Sequence, residues 1–484
     1  MKESFFSESN IQSLFGHEAA EDEKPERLKQ YYFKTSVYEQ VSTDLPLRIL
    51  VGHKGIGKSA LFQVAIMEDW QKDVLPILIK PDDIIDLGFE ENDFLKTIRK
   101  WKNGLLAIIV SKVLTSIGAE ERKIKAKIAK YGGNAIDFLH ETFKKNLKLD
   151  LSASERLIVK NFLENKTINV YIDDLDRGWK GRQVDINRIS ALLNAVRDIT
   201  RENKGLNFRI GLRSDVYYLV RTSDESTDKI EGSVIWQTLT NHEIFVILVK
   251  RIETFFDRTI NEQSLVKKPQ KDLAVYLSPI MEARFKGRGH WENAPMYKVI
   301  MSLIRKRPRD LVKLLTLAAR NAREFKSDKI NTSNFENIFA QYSQGRLQDT
   351  ENEFESELPD ISRLLLNMKP NRIERTTKQG FVYKTDALLK KIASIQEMGQ
   401  FRFSTGRIAT TKELAGFMFK TNFLTARKET THKISRKYFE ENRYLSNEFA
   451  DFGYDWEVHP AYRWALQPDH VNNFFDTLIL SHDD

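Results

Sequence analysis

Eight consecutive residues, Gly52-His53-Lys54-Gly55-Ile56-Gly57-Lys58-Ser59, place a lysine and a hydroxyl directly behind three glycines. In the spacing Gly-x-x-x-x-Gly-Lys-Ser the glycines leave backbone N–H groups uncovered, so the loop can wrap a polyphosphate that side chains would block. Lys58 can reach the β- and γ-phosphates, the Ser59 hydroxyl can ligate magnesium, and the helix that continues through Ala60 points its positive end at the anion. His53, Lys54 and Ile56 fill out the cradle. The alternative is a glycine-rich turn without a ligand. Context weighs against it, because an apolar run over residues 46–51 precedes the loop and a helically spaced run over residues 60–66 follows.

A magnesium site on such a loop also needs a carboxylate at the end of a neighbouring strand, and Asp173 after Val170-Tyr171-Ile172 supplies it. Asp174 is then placed to polarise an attacking water, which makes it the candidate catalytic base. Paired aspartates after a strand also serve as turn or cap residues. Asp176 and Arg177 read as a local ion pair. Arg213 follows a fourth strand and is a candidate γ-phosphate sensor; the competing reading pairs it with Asp215 on the surface. Arg307, Pro308 and Arg309 open a later helix, from which one arginine could reach back over the phosphates. The competing reading there is a solvated charge run with Lys306.

The elements that must position these groups alternate. Strands are expected at 46–51, 74–80, 167–172, 207–212 and 233–236, with an amphipathic helix from Ile186 to Ile199. Alternation of this kind predicts a parallel five-stranded sheet in an α/β nucleoside triphosphatase core. Residues 90–165 read as a helical insertion. Thr240-Asn241-His242-Glu243 is a capping box opening an apolar helix to Phe256. Strand signals stop near 270, a helical lid covers 266–360, and the acidic stretch 343–360 marks a boundary. Beyond it, a helix at 385–396, a capping box at Thr410-Thr411-Lys412-Glu413, a basic helical stretch at 421–440 and strand-like runs at 442–449 and 454–458 suggest a winged helix. The expected domains are therefore 1–265, 266–360 and 361–484.

Composition limits the alternatives. The 484 residues are 41% hydrophobic and 30% charged, as in a globular protein of two or three domains. With no cysteine, disulfides, thiolate nucleophiles and cysteine-ligated metals are excluded. Apolar runs such as 105–110 and 244–249 fall short of the roughly 20 residues a spanning helix needs. No membrane partner is expected, the N-terminus lacks a secretory pattern, and a cytoplasmic location follows. The net charge of +8, from 76 basic and 68 acidic residues, suits plain solubility first and weak attraction to polyanions second.

Taken together, Gly-His-Lys-Gly-Ile-Gly-Lys-Ser, Val-Tyr-Ile-Asp-Asp-Leu-Asp-Arg and Leu-Arg-Ser-Asp resemble the KAP and STAND branches of the AAA+-related ATPases over residues 15–345, with the lid and winged-helix order extending the likeness. The resemblance implies ATP and Mg2+ as cofactors and a carboxylate strand inserted between the loop strand and its neighbour. It also implies Asp173 as metal ligand, Asp174 as base, Arg213 as sensor and Pro308 near adenine. His459, in Glu457-Val458-His459-Pro460, is the counterpart of a STAND histidine that touches the β-phosphate, although beside Trp456 and Tyr462 it equally reads as packed. Membrane helices typical of KAP proteins and the long repeat sensor of STAND proteins are missing, so a homo-oligomer or a separate effector protein is the expected partner. Many such bacterial ATPases are similar to anti-phage defence components. An ATP-driven switch is the first functional reading. The second is an initiator-like ATPase that grips DNA through the basic run Lys420, Arg427, Lys428, Lys433, Arg436 and Lys437, and the third is a nucleotide-stabilised scaffold.

Overall fold

Five of the apolar runs pair into one parallel sheet. Its strands are β1 (Leu47–Gly52), β2 (Leu75–Ile79), β3 (Ile168–Ile172), β4 (Leu206–Arg213) and β5 (Val234–Trp236), in the order β2-β3-β4-β1-β5. The computed structural model describes residues 5–72, 74–88, 93–115, 136, 139, 167–223, 225–374, 380–429, 434–447, 453–467 and 480. Contacts divide the chain into two units: residues 34–53 with 58–237, and residues 1–33 with 54–57 and 238–484.

The first unit contains the sheet. Its β1, β3 and β4 side chains are almost wholly buried, as expected of parallel strands covered on both faces. Helices α1 (Lys58–Gln71), α2 (Phe94–Thr115), α3 (Gln183–Glu202) and α4 (Ser214–Ser223) belong to this unit. The amphipathic stripe read from Ile186 to Ile199 lies in its core with Leu192, Leu193 and Val196. Of the expected insertion, α2 is helical; residues 116–135 and 140–166 lie outside the described residues. One expectation is corrected by the strand order. The carboxylate strand β3 is not beside β1, because β4 lies between them and β3 sits between β4 and β2.

The second unit is built around a continuous apolar core. The Thr240–Glu243 capping box forms as read and opens α5 (Asn241–Phe255). That helix packs in this core, as does the N-terminal helix Glu8–Phe15, so both belong to a different unit from the sheet. Strand signals do not stop at 270: β6 (Arg284–Lys286) and β7 (Glu292–Pro295) form an antiparallel pair too short to give a periodic signal. Helix α6 (Pro308–Glu324) begins with Pro308 at its first turn, where a missing N–H costs nothing. The acidic stretch is no boundary up to Phe354, because α7 (Thr332–Phe354) runs through it, burying Arg346, Thr350, Glu353 and Phe354.

A four-stranded sheet closes this unit. Strands β8 (Val382–Tyr383), β9 (Leu424–Glu429), β10 (Ile434–Lys437) and β11 (Asp455–Val458) lie in the order β10-β9-β11-β8, with α8 (Thr385–Glu397) and α9 (Thr411–Lys420) between β8 and β9 in sequence. The stretch expected as a basic helix over 421–440 is instead β9 and β10, paired antiparallel. Its arginines are buried against carboxylates, so the apparent polar face never was one. Tyr444–Asn447 is a helical turn and not a strand, residues 448–452 lie outside the described residues, and β11 pairs with β9 and β8.

Candidate nucleotide site

The glycines of the loop serve backbone geometry. Gly55 has φ +81° and Gly57 φ +106°, conformations that a side chain would strain. Lys58 opens α1, and its Nζ donates to the carbonyl oxygens of Gly52 at 2.8 Å and His53 at 3.2 Å. The ammonium is thus held back over its own loop by neutral acceptors, from which a more strongly attracting anion can take it. Ser59 and Ala60 follow in the first turn of α1, half-buried, and Lys54 is exposed. Ile56 is buried in the core of the second unit. Behind the loop the buried His53 side chain meets Ser214, with Nδ1 and Oγ 3.1 Å apart.

Asp173 directly follows β3 and is buried, and its carboxylate lies against β4 at Gly211. A Cβ at Gly211 would stand 2.6 Å from Asp173 Oδ1 and 3.1 Å from Phe62 Cε2. The missing side chain is what lets the acid lie against β4 at this point. A glycine isolated in a strand marks close approach, and that signal in Arg209-Ile210-Gly211-Leu212 would have pointed to this position. The next residue, Asp174, takes a left-handed conformation with φ +57° and is exposed. Asparagine and aspartate tolerate that region best among side-chain-bearing residues, and the turn leaves a carboxylate oxygen of Asp174 within 4.8 Å of one of Asp173. A buried acid admitted by a glycine, a loop whose glycines cannot carry side chains and a lysine poised on carbonyls fit a magnesium nucleotide.

Arg213 is paired with Asp215, but in the interior and not on the surface. Its Nε and Nη2 donate to the Asp215 carboxylate at 3.0 and 2.7 Å, and Nη1 reaches Asp176 at 3.3 Å. Asp176, expected to pair with Arg177, is therefore Arg213's second partner.

The two arginines at the start of α6 part company. Arg307 is buried and donates to Glu353 at 3.1 Å, away from solvent. Arg309 is half-buried against the loop: its backbone N lies 3.4 Å from Gly55 O, its Nε donates to Glu18 O at 3.2 Å, and a Cβ on Gly55 would be 2.9 Å from its own Cβ. Next in sequence, Asp310 accepts from Arg305 at 2.7 and 3.0 Å and from Arg346 at 2.6 Å, while Arg305 also reaches Thr350 and Tyr462 at 2.9 and 2.7 Å. Burial opposes ionisation of Asp310, but the Arg305 and Arg346 guanidiniums hold its carboxyl well below the usual carboxylate range.

His459 is fully buried, accepting from Ala461 N at 3.1 Å and meeting Tyr438 Oη at 3.0 Å. Burial, reinforced by Arg436 and Arg305, pushes its imidazole down to about 3. The packed reading describes it. The basic run is also largely consumed. Lys420 is paired with Glu357 at 2.8 Å, and Arg427 and Arg436 surround Glu457 with Arg463. Burial would raise the Glu457 carboxyl, yet Arg436 and Arg463 outweigh it and hold it at about 2. Of that run, Lys428 is exposed, Lys437 is half-buried, and Lys433 lies outside the described residues.

Comparison with known proteins adds three kinds of likeness. The FunZ-associated C-terminal helical domain matches residues 278–351, which take in β6, β7, α6 and most of α7. The putative transposon gamma-delta 80.3 kDa protein of Escherichia coli K12 is 25% identical over 387 residues, covering 72% of this chain and 52% of that protein. The chain therefore spans about half the length of that relative. Similar solved structures include the Aeropyrum pernix ORC2 protein in its ADPNP–ADP complexes, with TM-score 0.40 and 13% identity over 90% of this chain and 89% of that one. The Aeropyrum pernix ORC1 protein in complex with DNA has TM-score 0.37 and 13% identity over 95% and 96%, and a Thermotoga maritima RuvB variant has 0.34 and 12% over 92% and 98%.

Proposed function

We propose that the protein is an ATP-dependent conformational switch that binds a magnesium nucleotide at residues 52–60 and hydrolyses it. The observation that carries the reading is Lys58, held by the carbonyls of Gly52 and His53 at the mouth of α1 in a loop whose two positive-φ residues are glycines. Ser59 and Asp173 are the proposed magnesium ligands, and the gap at Gly211 supports Asp173 in that role. Bound magnesium would neutralise charge on the phosphate oxygens. Lys58 would exchange its carbonyls for phosphate, the exposed Asp174 would accept the proton of the attacking water, and Arg213 would act from the end of β4. Arg309, seated on Gly55, is the lid arginine proposed to respond to the state of the loop. Arg307, committed to Glu353, supports the lid from within.

The switch is proposed to act with further copies of itself or with a separate effector, in a bacterial setting of mobile DNA. Support for the setting is the transposon in the relative's name and the likeness of the motifs to anti-phage ATPases. Binding of a fluorescent ATP analogue, with competition by ADP and GTP, tests the site. Lys58→Ala should abolish binding and Asp173→Asn should remove its magnesium dependence. The mass in solution with and without a non-hydrolysable ATP analogue tests the switch. Analogue binding unaffected by Lys58→Ala, or a mass indifferent to nucleotide, would overturn the corresponding half of the proposal.

A further inference from the structure

The second residue of a phosphate-binding loop is usually valued for its backbone, and its side chain is left without a task. Here His53 is 3% exposed and Ser214 0% exposed. The hydrogen bond between them, Nδ1 to Oγ at 3.1 Å, spans 161 residues of chain. The two ends of this bond lie just past neighbouring strands: His53 follows β1, Ser214 follows β4, and Gly52 is in register with Arg213. His53 also offers its carbonyl oxygen to Lys58 Nζ. A single residue therefore holds the lysine with its backbone while its ring is pinned to the residue after Arg213.

We propose that His53 and Ser214 are positioning residues of the nucleotide site: their bond sets the height of the loop above β4 and fixes the carbonyl that Lys58 must leave when phosphate binds. This rests on the nucleotide-binding reading above. Without the bond, the loop's first peptides gain freedom that ligand binding must then remove, so the effect falls on affinity for the phosphates and on KM before kcat. Removing one buried hydrogen bond of this kind should weaken binding on the order of 3- to 10-fold.

Asparagine separates positioning from bulk. Its amide group branches from the same distance along the side chain as His Nδ1, so Asn can keep the bond to Ser214, whereas alanine cannot. Affinity for a fluorescent ATP analogue and steady-state hydrolysis would be measured for wild type, His53→Asn, His53→Ala, Ser214→Ala and the pairwise combinations. Expected are weaker binding and raised KM in Ser214→Ala and His53→Ala, retention in His53→Asn, and no further loss when Ser214→Ala is added to His53→Ala. Ser214→Ala should still weaken the His53→Asn protein, and that comparison stands even if His53→Ala fails to fold. Unchanged binding in Ser214→Ala, or losses that multiply in the double alanine variant, would overturn the proposal. A wild-type protein that binds no nucleotide would instead overturn the reading of the site itself.

Discussion

Gly211→Ala is the smallest change that tests whether Asp173 serves the loop. Nothing in the backbone forbids it, since Gly211 lies in the regular strand β4 and is not among the positive-φ glycines. The obstacle is space: the new Cβ would be 2.6 Å from Asp173 Oδ1, about 0.8 Å inside ordinary contact, and 3.1 Å from Phe62 Cε2. Relief requires the carboxylate to swing away by nearly an ångström. Overpacking of this kind costs about 1–3 kcal/mol of stability, and a misplacement of that size in a reacting group can cost on the order of 100-fold in rate. Thermal denaturation should therefore show a modest loss, while magnesium-dependent ATP turnover should fall by about two orders of magnitude with ATP binding in EDTA retained. The clash also predicts a coupling. In an Asp173→Ala background, Gly211→Ala should cost clearly less stability than in wild type. Full turnover in Gly211→Ala, or an undiminished stability penalty in the double variant, would refute the placement of Asp173 as a metal ligand.

Gly55→Ala combines a left-handed φ with a 2.9 Å approach to Arg309 Cβ, so it should lose at least about 1–3 kcal/mol of stability in thermal melts. Asp310→Asn leaves Arg305 and Arg346 without their shared buried anion and should destabilise by about 3–5 kcal/mol in denaturant titration, well beyond the effect of an exposed pair such as Arg407–Glu413. Acid should weaken the fold in two stages. His459 is lowered to about 3, so the unfolded chain takes up its proton first and stability falls as pH drops below about 6.5 toward 3. Glu457 is lowered to about 2, so its contribution is present above the unfolded value of 4.5 and is lost as pH falls through 2. Melting curves of wild type and His459→Gln between pH 7 and 4 check the first stage, which the variant should lack. Neutralising Arg427 or Arg436 should lower thermal stability by exposing Glu457's need for a counter-charge. It should leave the salt dependence of any duplex binding unchanged, because neither side chain reaches solvent.

What could be read in advance follows the range of the interactions involved. The loop, the strand ends and the two capping boxes are local chemistry, settled by residues within a turn of each other, and they appear where the spacing placed them. The choice between Arg307 and Arg309 is not local. Two residues apart on one helix start, they diverge because Glu353, 46 positions later on α7, takes the first. The same holds for the basic run: Arg436 is neutralised by Glu457, 21 residues away, and in strands β9 and β10 the arginines that suggested a basic helix are buried. The order of β3 and β4 is likewise a matter of tertiary pairing. Only the lone glycine in β4 carried a trace of it in the sequence.

The six residues from Arg305 to Asp310 bear on how far this chain can be taken apart. Arg305 ends on Tyr462, Lys306 on Glu441, Arg307 on Glu353, and Arg309 on Gly55 and Glu18. Helix α6 thus begins at a junction where the N-terminal segment, Gly55 and the C-terminal segment are all anchored within two helical turns. A fragment ending near residue 360 would strip Arg305 of the Tyr462 hydroxyl and leave the apolar faces of α6 and α7 uncovered. What looks in sequence like a detachable C-terminal module is, in physical terms, part of the floor on which α6 stands, so deletions there should read out as loss of the whole unit and not as loss of one task.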